Sequence, residues 1–167
     1  MYRSIDDFLE DWKYESSMTG KVMDELTDAS LAQPVADDHN TLGGLAWHVT
    51  VAMKIFLSQA GLSTEGPGRD APQPATAAEI AAAYRAAAAS VAQAVAGWTD
   101  EDLAGEISMF RYTWTRGRTL SFFVLHQAHH RGQMTVLMRQ AGLKVPGVYG
   151  PSREERAAML AAAPQPS

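Results

Sequence analysis

The 167-residue sequence contains no cysteine. This absence excludes a disulfide framework, a thiolate nucleophile, an iron–sulfur cluster and any zinc site with cysteine ligands. A transition-metal site in this chain must therefore be built from histidine, aspartate and glutamate side chains. Five histidines are present.

The sequence also lacks an excess of basic residues and a long apolar run. Lys plus Arg number 14 and Asp plus Glu number 19, a formal net charge of −5, whereas nucleic-acid binders usually carry a concentrated basic face. No stretch approaches the ~20 apolar residues that a membrane-spanning helix needs. The acidic residues 1–7 do not resemble a basic targeting leader. We therefore expect a cytoplasmic protein with neither nucleic-acid nor membrane partners.

Apolar periodicity and capping residues predict four long helices. The first helix begins at Ser4 and spans 4–28, and the second begins at Thr41 and ends at about 60. The third spans 77–96 and is capped by Thr76, and the fourth spans 119–140. A short turn is expected at 99–102, an extended or irregular segment at 105–118, a last helix at 152–162 and a tail at 164–167. The Pro- and Gly-rich segment 61–74 is typical of a crossover connection or of a flap over a site.

These elements predict an all-α fold, a four-helix bundle with short extra helices and a long crossover loop. The sequence contains no internal repeat and no composition break, so we expect a single domain over residues 1–167.

Three of the histidines are expected to converge on the centre of the bundle. Each helical residue advances by ~100°, so His126 and His130 lie ~40° apart on the fourth helix. That direction is shared by apolar residues, whereas Arg131 is expected on the opposite side. His48 lies on the apolar stripe of the second helix. His129 is expected nearer the edge of the fourth helix's stripe.

Buried imidazoles need partners, because each unpaired polar group costs about 1–3 kcal/mol. A divalent ion would take one nitrogen from each ring, and the i, i+4 spacing of His126 and His130 lets two rings on one helix meet one ion. The alternative is that these are ordinary hydrogen-bonded core histidines. His39, beside two aspartates, is expected at the surface. A His-Glu-x-x-His metallopeptidase is excluded, because Gln127 stands where the general base would be.

Longer motifs carry a family resemblance. His126-x-x-x-His130-Arg131-Gly132-Gln133, together with Leu45-Ala46-Trp47-His48 and the ending at 142–151, resembles the DinB/YfiT-like superfamily across nearly the whole chain. The resemblance implies a four-helix bundle, homodimers, and a divalent ion, nickel or zinc, held by three histidines that correspond to His48, His126 and His130. It also implies metal-dependent hydrolase activity on a small-molecule substrate.

Other functions stay open. Relatives in the superfamily are S-transferases and isomerases that use a low-molecular-weight thiol such as bacillithiol or mycothiol. A third alternative is a non-catalytic bundle that binds a metal or another ligand. We assign no catalytic residue, and the candidates for proton transfer are Glu25, Asp37, Asp38, His129 and Tyr149.

Two further groups of side chains have both functional and structural interpretations. Arginines in the second half of the chain could attract an anionic substrate or simply form a solvated face: Arg111, Arg116, Arg118 and Arg131. Three aromatic residues could line the mouth of a pocket or belong to the core or a dimer contact: Trp47, Tyr112 and Trp114.

Overall fold

The protein is described by a computed structural model over residues 1–162, and the predicted tail at 164–167 lies outside the described residues. The fold is mostly helical. Residues 1–162 contain five α-helices: α1 (Ile5–Asp24), α2 (Leu42–Gln59), α3 (Ala77–Val95), α4 (Arg116–Gln140) and α5 (Arg153–Ala162). Two 3₁₀ turns cover Asp28–Ala32 and Glu101–Ala104, and two strands, β1 (Glu106–Met109) and β2 (Tyr112–Thr115), form a small antiparallel sheet.

The starts of the first three helices follow the capping residues read from the sequence. The hydroxyl groups of Ser4, Thr41 and Thr76 each accept a hydrogen bond from the backbone N–H three residues later. Each cap satisfies one of the four N–H groups that a helix leaves unpaired at its N-terminus. The first helix ends at Asp24 rather than at 28, because Thr27 caps a separate 3₁₀ turn.

The extended segment expected at 105–118 is confirmed as a small hairpin, so the fold is mostly helical rather than purely all-α, and α4 begins three residues earlier than expected. β1 and β2 pair from Glu106 opposite Thr115 to Met109 opposite Tyr112. Thr115 then caps α4 with its hydroxyl group. A lone hairpin is only marginally stable in water, and this one packs against α2 and α4.

The four long helices pack around a common apolar core. α1 and α2 each contact both α3 and α4. Because α3 is rich in alanine, α1 approaches it closely, and the Trp12 indole donates to the carbonyl of Ala88 at 3.0 Å. The long loop after α2 is held against that helix, since Trp47 donates to the Ala71 carbonyl and Lys54 to the Gly66 carbonyl.

The rotation of α4 differs from the expected one. Its buried face carries Phe123, Gln127, Arg131 and Met134. His126 and His130 are only half-buried at the edge of that face, and His48 is exposed. The expectation that these three side chains point into the centre of the bundle is therefore wrong, and so is the exterior position assigned to Arg131. Apolar periodicity alone places the charged Arg131 on the solvent-facing side of the helix, whereas an ion pair allows its side chain to be buried.

Within residues 1–162, none of the helices combines the length and the apolar character needed to cross a membrane.

Candidate metal centre

Three imidazole rings from two helices meet at one edge of the α2–α4 contact. α2 contributes His48, and α4 contributes His126 and His130, one turn apart. The His130 ring centroid lies 4.5 Å from that of each of the other two rings, which are 5.0 Å from each other. One nitrogen from each ring can be chosen so that all three lie within 4.8 Å of one another. The structure therefore brings the three sequence-predicted candidates together.

The spacing of these nitrogens suits a divalent ion. The Nε2 atoms of His48 and His126 lie 3.2 Å apart. Two imidazole nitrogens at ~2.0–2.1 Å from a tetrahedral zinc ion are separated by about 3.3–3.4 Å. Three imidazoles alone leave positions on such an ion for water or substrate, because they do not fill its coordination sphere. Half-exposure of the cluster leaves room for such a ligand to enter.

The electrostatics of the cluster favour neutral rings. Burial, helped by the neighbouring histidines, lowers the pKa of His126 to about 4. Partial shielding from water where the rings meet lowers the pKa of His48 and of His130 from their ordinary value as well. At neutral pH these imidazoles therefore carry no charge, and each presents a lone pair on one ring nitrogen. A cation can use those lone pairs without displacing protons.

Gln133 sets the orientation of the His130 ring. Its side-chain Oε1 lies 2.7 Å from Nδ1 of His130, one turn earlier on α4. An amide oxygen is only an acceptor, so the proton of His130 is on Nδ1 and its Nε2 is free for a ligand bond. The Gln133 of the sequence motif thus fixes a tautomer.

Gln127 ties the two histidine-bearing helices together. Its fully buried side chain donates from Nε2 to the carbonyl oxygen of Val49 at 2.8 Å. Val49 follows His48 on α2 and Gln127 follows His126 on α4. The hydrogen bond therefore lies one residue away from the 3.2 Å contact between the two ring nitrogens.

A buried ion pair anchors α4 to α1 next to His130. Arg131 is 2% exposed, and its Nη2 lies 2.7 Å from Oε2 of Glu15. Its Nη1 donates to the Glu15 carbonyl and to the Thr19 hydroxyl, both at 3.0 Å. Arg131 is therefore a structural residue, and the hypothesis that it attracts an anionic substrate is wrong. Tyr149 joins the same network by donating to the Glu15 carboxylate.

The proton-transfer candidates are scattered over the fold. The His129 ring is exposed and lies 4.8 Å, centroid to centroid, from that of His130. Tyr149 is bound to Glu15 and Arg131, and Glu25 ends α1 as its C-cap. Asp37 and Asp38 lie in the exposed connector before α2, where His39 also lies. His129 is the candidate that stands beside the cluster.

Among the remaining aromatic and arginine candidates, four have identifiable contacts: Trp47, Trp114, Arg116 and Arg118. Trp47 holds the loop after α2, as described above. Arg116 donates to the Ala60 carbonyl and to Asp102, so it braces the start of α4. Arg118 lies over the Trp114 ring at 4.7 Å, and the Trp114 ring in turn lies 5.1 Å from that of Phe122.

Several residues that shape the site were not singled out from the sequence. The sequence motif shows Gln127 only as a residue that cannot act as a base, and it gives no role to Glu15. A usable signal existed, because Phe123, Gln127 and Arg131 recur every four residues and lie on one face of a helix. Polar residues in such a row indicate buried hydrogen bonds when apolar neighbours flank them.

The sequence and the fold both match known proteins. A family model described as the DinB family matches residues 1–165. The chain belongs to the DinB family. It is 43% identical over 166 residues to the Bacillus subtilis protein named "Uncharacterized protein YrdA", with 99% of each chain covered.

Solved DinB-like structures share the fold. A DinB-like protein from Bacillus cereus is 47% identical, with a TM-score of 0.86 over 89% of this chain and all of the other. A DinB-like protein from Bacillus subtilis is 16% identical, with a TM-score of 0.69 over 85% of this chain and 97% of the other, and that likeness concerns the fold alone. The three-histidine cluster of this DinB chain could hold a metal ion.

Proposed function

We propose that this DinB protein is a metal-dependent enzyme, a hydrolase of a small-molecule substrate that binds one divalent ion through His48, His126 and His130. The 3.2 Å separation of two facing Nε2 atoms carries the proposal. Two neutral imidazoles in such a contact share at most one proton, and a cation between the rings would satisfy both lone pairs. Nickel and zinc both suit imidazole ligands.

A divalent ion at this cluster would lower the pKa of a bound water towards neutrality and polarise a carbonyl group. The chain's own residues preorganise the site for that ion. Gln133 keeps the proton of His130 on Nδ1, and Gln127 holds α4 against α2. His129 is positioned to exchange protons with solvent beside the cluster, because its exposed ring lies next to His130.

Thiol transfer is the second candidate. Three neutral ligands leave the full positive charge of the ion in place, which favours a thiolate as the additional ligand. Because the chain has no cysteine, that thiol would come from a low-molecular-weight cofactor.

The test compares zinc- and nickel-loaded protein with chelated protein on panels of esters, amides and thiol-transfer substrates. We expect turnover that requires the ion and disappears in His126→Ala, with His39→Ala as the control. Metal-dependent turnover that occurs only in the presence of bacillithiol or mycothiol would identify the activity as thiol transfer rather than hydrolysis. A lack of turnover on every panel, together with a fall in Tm on chelation, would make the metal structural and overturn the enzymatic proposal.

We also propose that the four long helices form a four-helix bundle and that two copies of the chain pair. The contacts of α1 and α2 with both α3 and α4 support the bundle. The exposed Leu125 and Val136 on α4 support pairing through that helix, since the space over Gly132 between them is open: among the described residues, a Cβ placed there would meet nothing within 4 Å. Light scattering tests the pairing, and a monomeric mass would contradict it.

A further inference from the structure

Aromatic side chains lead outwards from the histidine cluster. We call Phe56, Phe110, Trp114 and Phe122 the aromatic patch. The Phe56 ring lies 5.0 Å from the His126 ring, and the rings of Phe110 and Phe122 lie 6.2 and 5.9 Å from Phe56. Trp114 extends the series, 5.1 Å beyond Phe122. The patch is thus continuous with the candidate metal centre.

The patch has a buried base and exposed sides. Phe56 is 4% exposed, whereas Phe110 is 59% and Phe122 is 41% exposed. The Phe110 ring stands at 86° to the Phe56 ring, and the Phe122 ring is tilted by 33° to it. A flat ring placed over Phe56 could meet one neighbour edge-to-face and the other in an offset stack, which are the preferred arrangements of aromatic pairs.

Phe110 is held in this place at a conformational cost. It is the first of the two residues that connect β1 to β2, and its φ is +54°. Such two-residue turns favour glycine, asparagine or aspartate at positions with positive φ, and a bulky residue there is an outlier. Strained backbone of this kind concentrates at binding and active sites. The backbone N–H of Phe110 donates to Oε1 of Gln59 on α2 at 3.5 Å.

We propose that the aromatic patch binds an aryl group of the substrate, next to the functional group that the ion binds. The inference rests on the proposed metal site, because the patch begins at the ring of His126. Phe110 and Phe122, whose exposed rings both contact Phe56, are the rings that such an aryl group would meet. Binding of an aryl group would remove the exposed apolar surface of these rings from contact with water, and that burial lowers the free energy of the complex.

The test uses cobalt(II)-loaded protein and two probes, imidazole and 4-phenylimidazole, whose binding is followed by visible absorption. We expect the phenyl group to increase affinity about tenfold or more. Phe110→Gly keeps the turn accessible, since glycine adopts positive φ without strain. Phe110→Gly and Phe122→Ala should lose most of that gain and bind imidazole itself as wild type does. Leu160→Ala, which shortens an exposed apolar side chain on α5, is the matched control.

The outcomes separate this inference from the proposed function. Failure to bind cobalt would overturn the metal site and the inference with it. Normal cobalt binding without a gain from the phenyl group, or with the same gain in both aromatic variants, would overturn the aryl site alone. Conversion of a dimer to a monomer by Phe110→Gly, with the phenyl gain unchanged, would identify the patch as a contact between copies and also overturn the inference.

Discussion

The side-chain amide of Gln127 donates to the backbone carbonyl of Val49 at 2.8 Å, and both residues immediately follow candidate metal ligands. This hydrogen bond fixes α4 relative to α2 where His126 and His48 face each other. The separation of their Nε2 atoms therefore depends on a contact that neither histidine makes.

Replacement of Gln127 by leucine should weaken metal binding by about tenfold, within the range known for residues that support ligands. It should also destabilise the fold by about 0.5–1.5 kcal/mol, because one buried hydrogen bond is lost while the Val49 carbonyl keeps its backbone donor within α2. Competition with a chromogenic chelator and urea unfolding measure the two effects. Gln140→Leu, the same change at an exposed position of α4, should leave both unchanged. Wild-type metal affinity in Gln127→Leu would contradict the role of the hydrogen bond.

Gln133 should affect the affinity for the metal ion, because it sets the tautomer of His130. Gln133→Leu removes the acceptor 2.7 Å from Nδ1, and we expect about 10–100-fold weaker metal binding. Gln133→Glu retains an acceptor oxygen and should preserve most of the affinity. Calorimetric titration with zinc distinguishes the variants. Equal affinities in the leucine and glutamate variants would rule out the tautomer argument.

The buried ion pair should dominate the stability of the α1–α4 contact. Arg131→Leu leaves the Glu15 carboxylate buried without its partner, and we expect a loss of about 3–5 kcal/mol of unfolding free energy. The exposed pair of Arg85 with Asp24 offers a control, since Arg85→Leu should cost less than about 1 kcal/mol. Urea denaturation measures both. A similar cost for the two variants would show that burial of the Arg131 pair has no special effect.

Local sequence signals predicted the elements better than they predicted the site's surroundings. Ser4, Thr41 and Thr76 marked helix starts because capping depends on a few neighbouring residues. The i, i+4 spacing of His126 and His130 indicated their proximity for the same reason. The rotation of α4 was not predictable from apolar periodicity alone, because the partner that buries Arg131 is Glu15, far away in sequence. Phe110 gave no sequence signal, since its turn contains none of the residues that such turns favour.

The stability of the metal-free protein should fall as pH decreases below neutrality. The pKa of His126 is about 4 in the folded chain, below its ordinary value of 6.5. Between those values the unfolded chain binds a proton that the folded chain does not, so unfolding is favoured as pH falls. The midpoint of urea unfolding should therefore be lower near pH 5 than near pH 7. His126→Gln should show a smaller decrease, and an equal decrease in both proteins would contradict the argument.

The central claim is that His48, His126 and His130 together bind one ion. Elemental analysis of purified, metal-loaded protein after exhaustive dialysis tests it most directly. We expect about one divalent ion per chain in the wild type and in His39→Ala, because one ion suffices for three converging imidazoles. His48→Ala and His126→Ala should retain little or no metal, with circular dichroism confirming that they remain folded. Equal metal content in the wild type and in these two folded variants would contradict the claim.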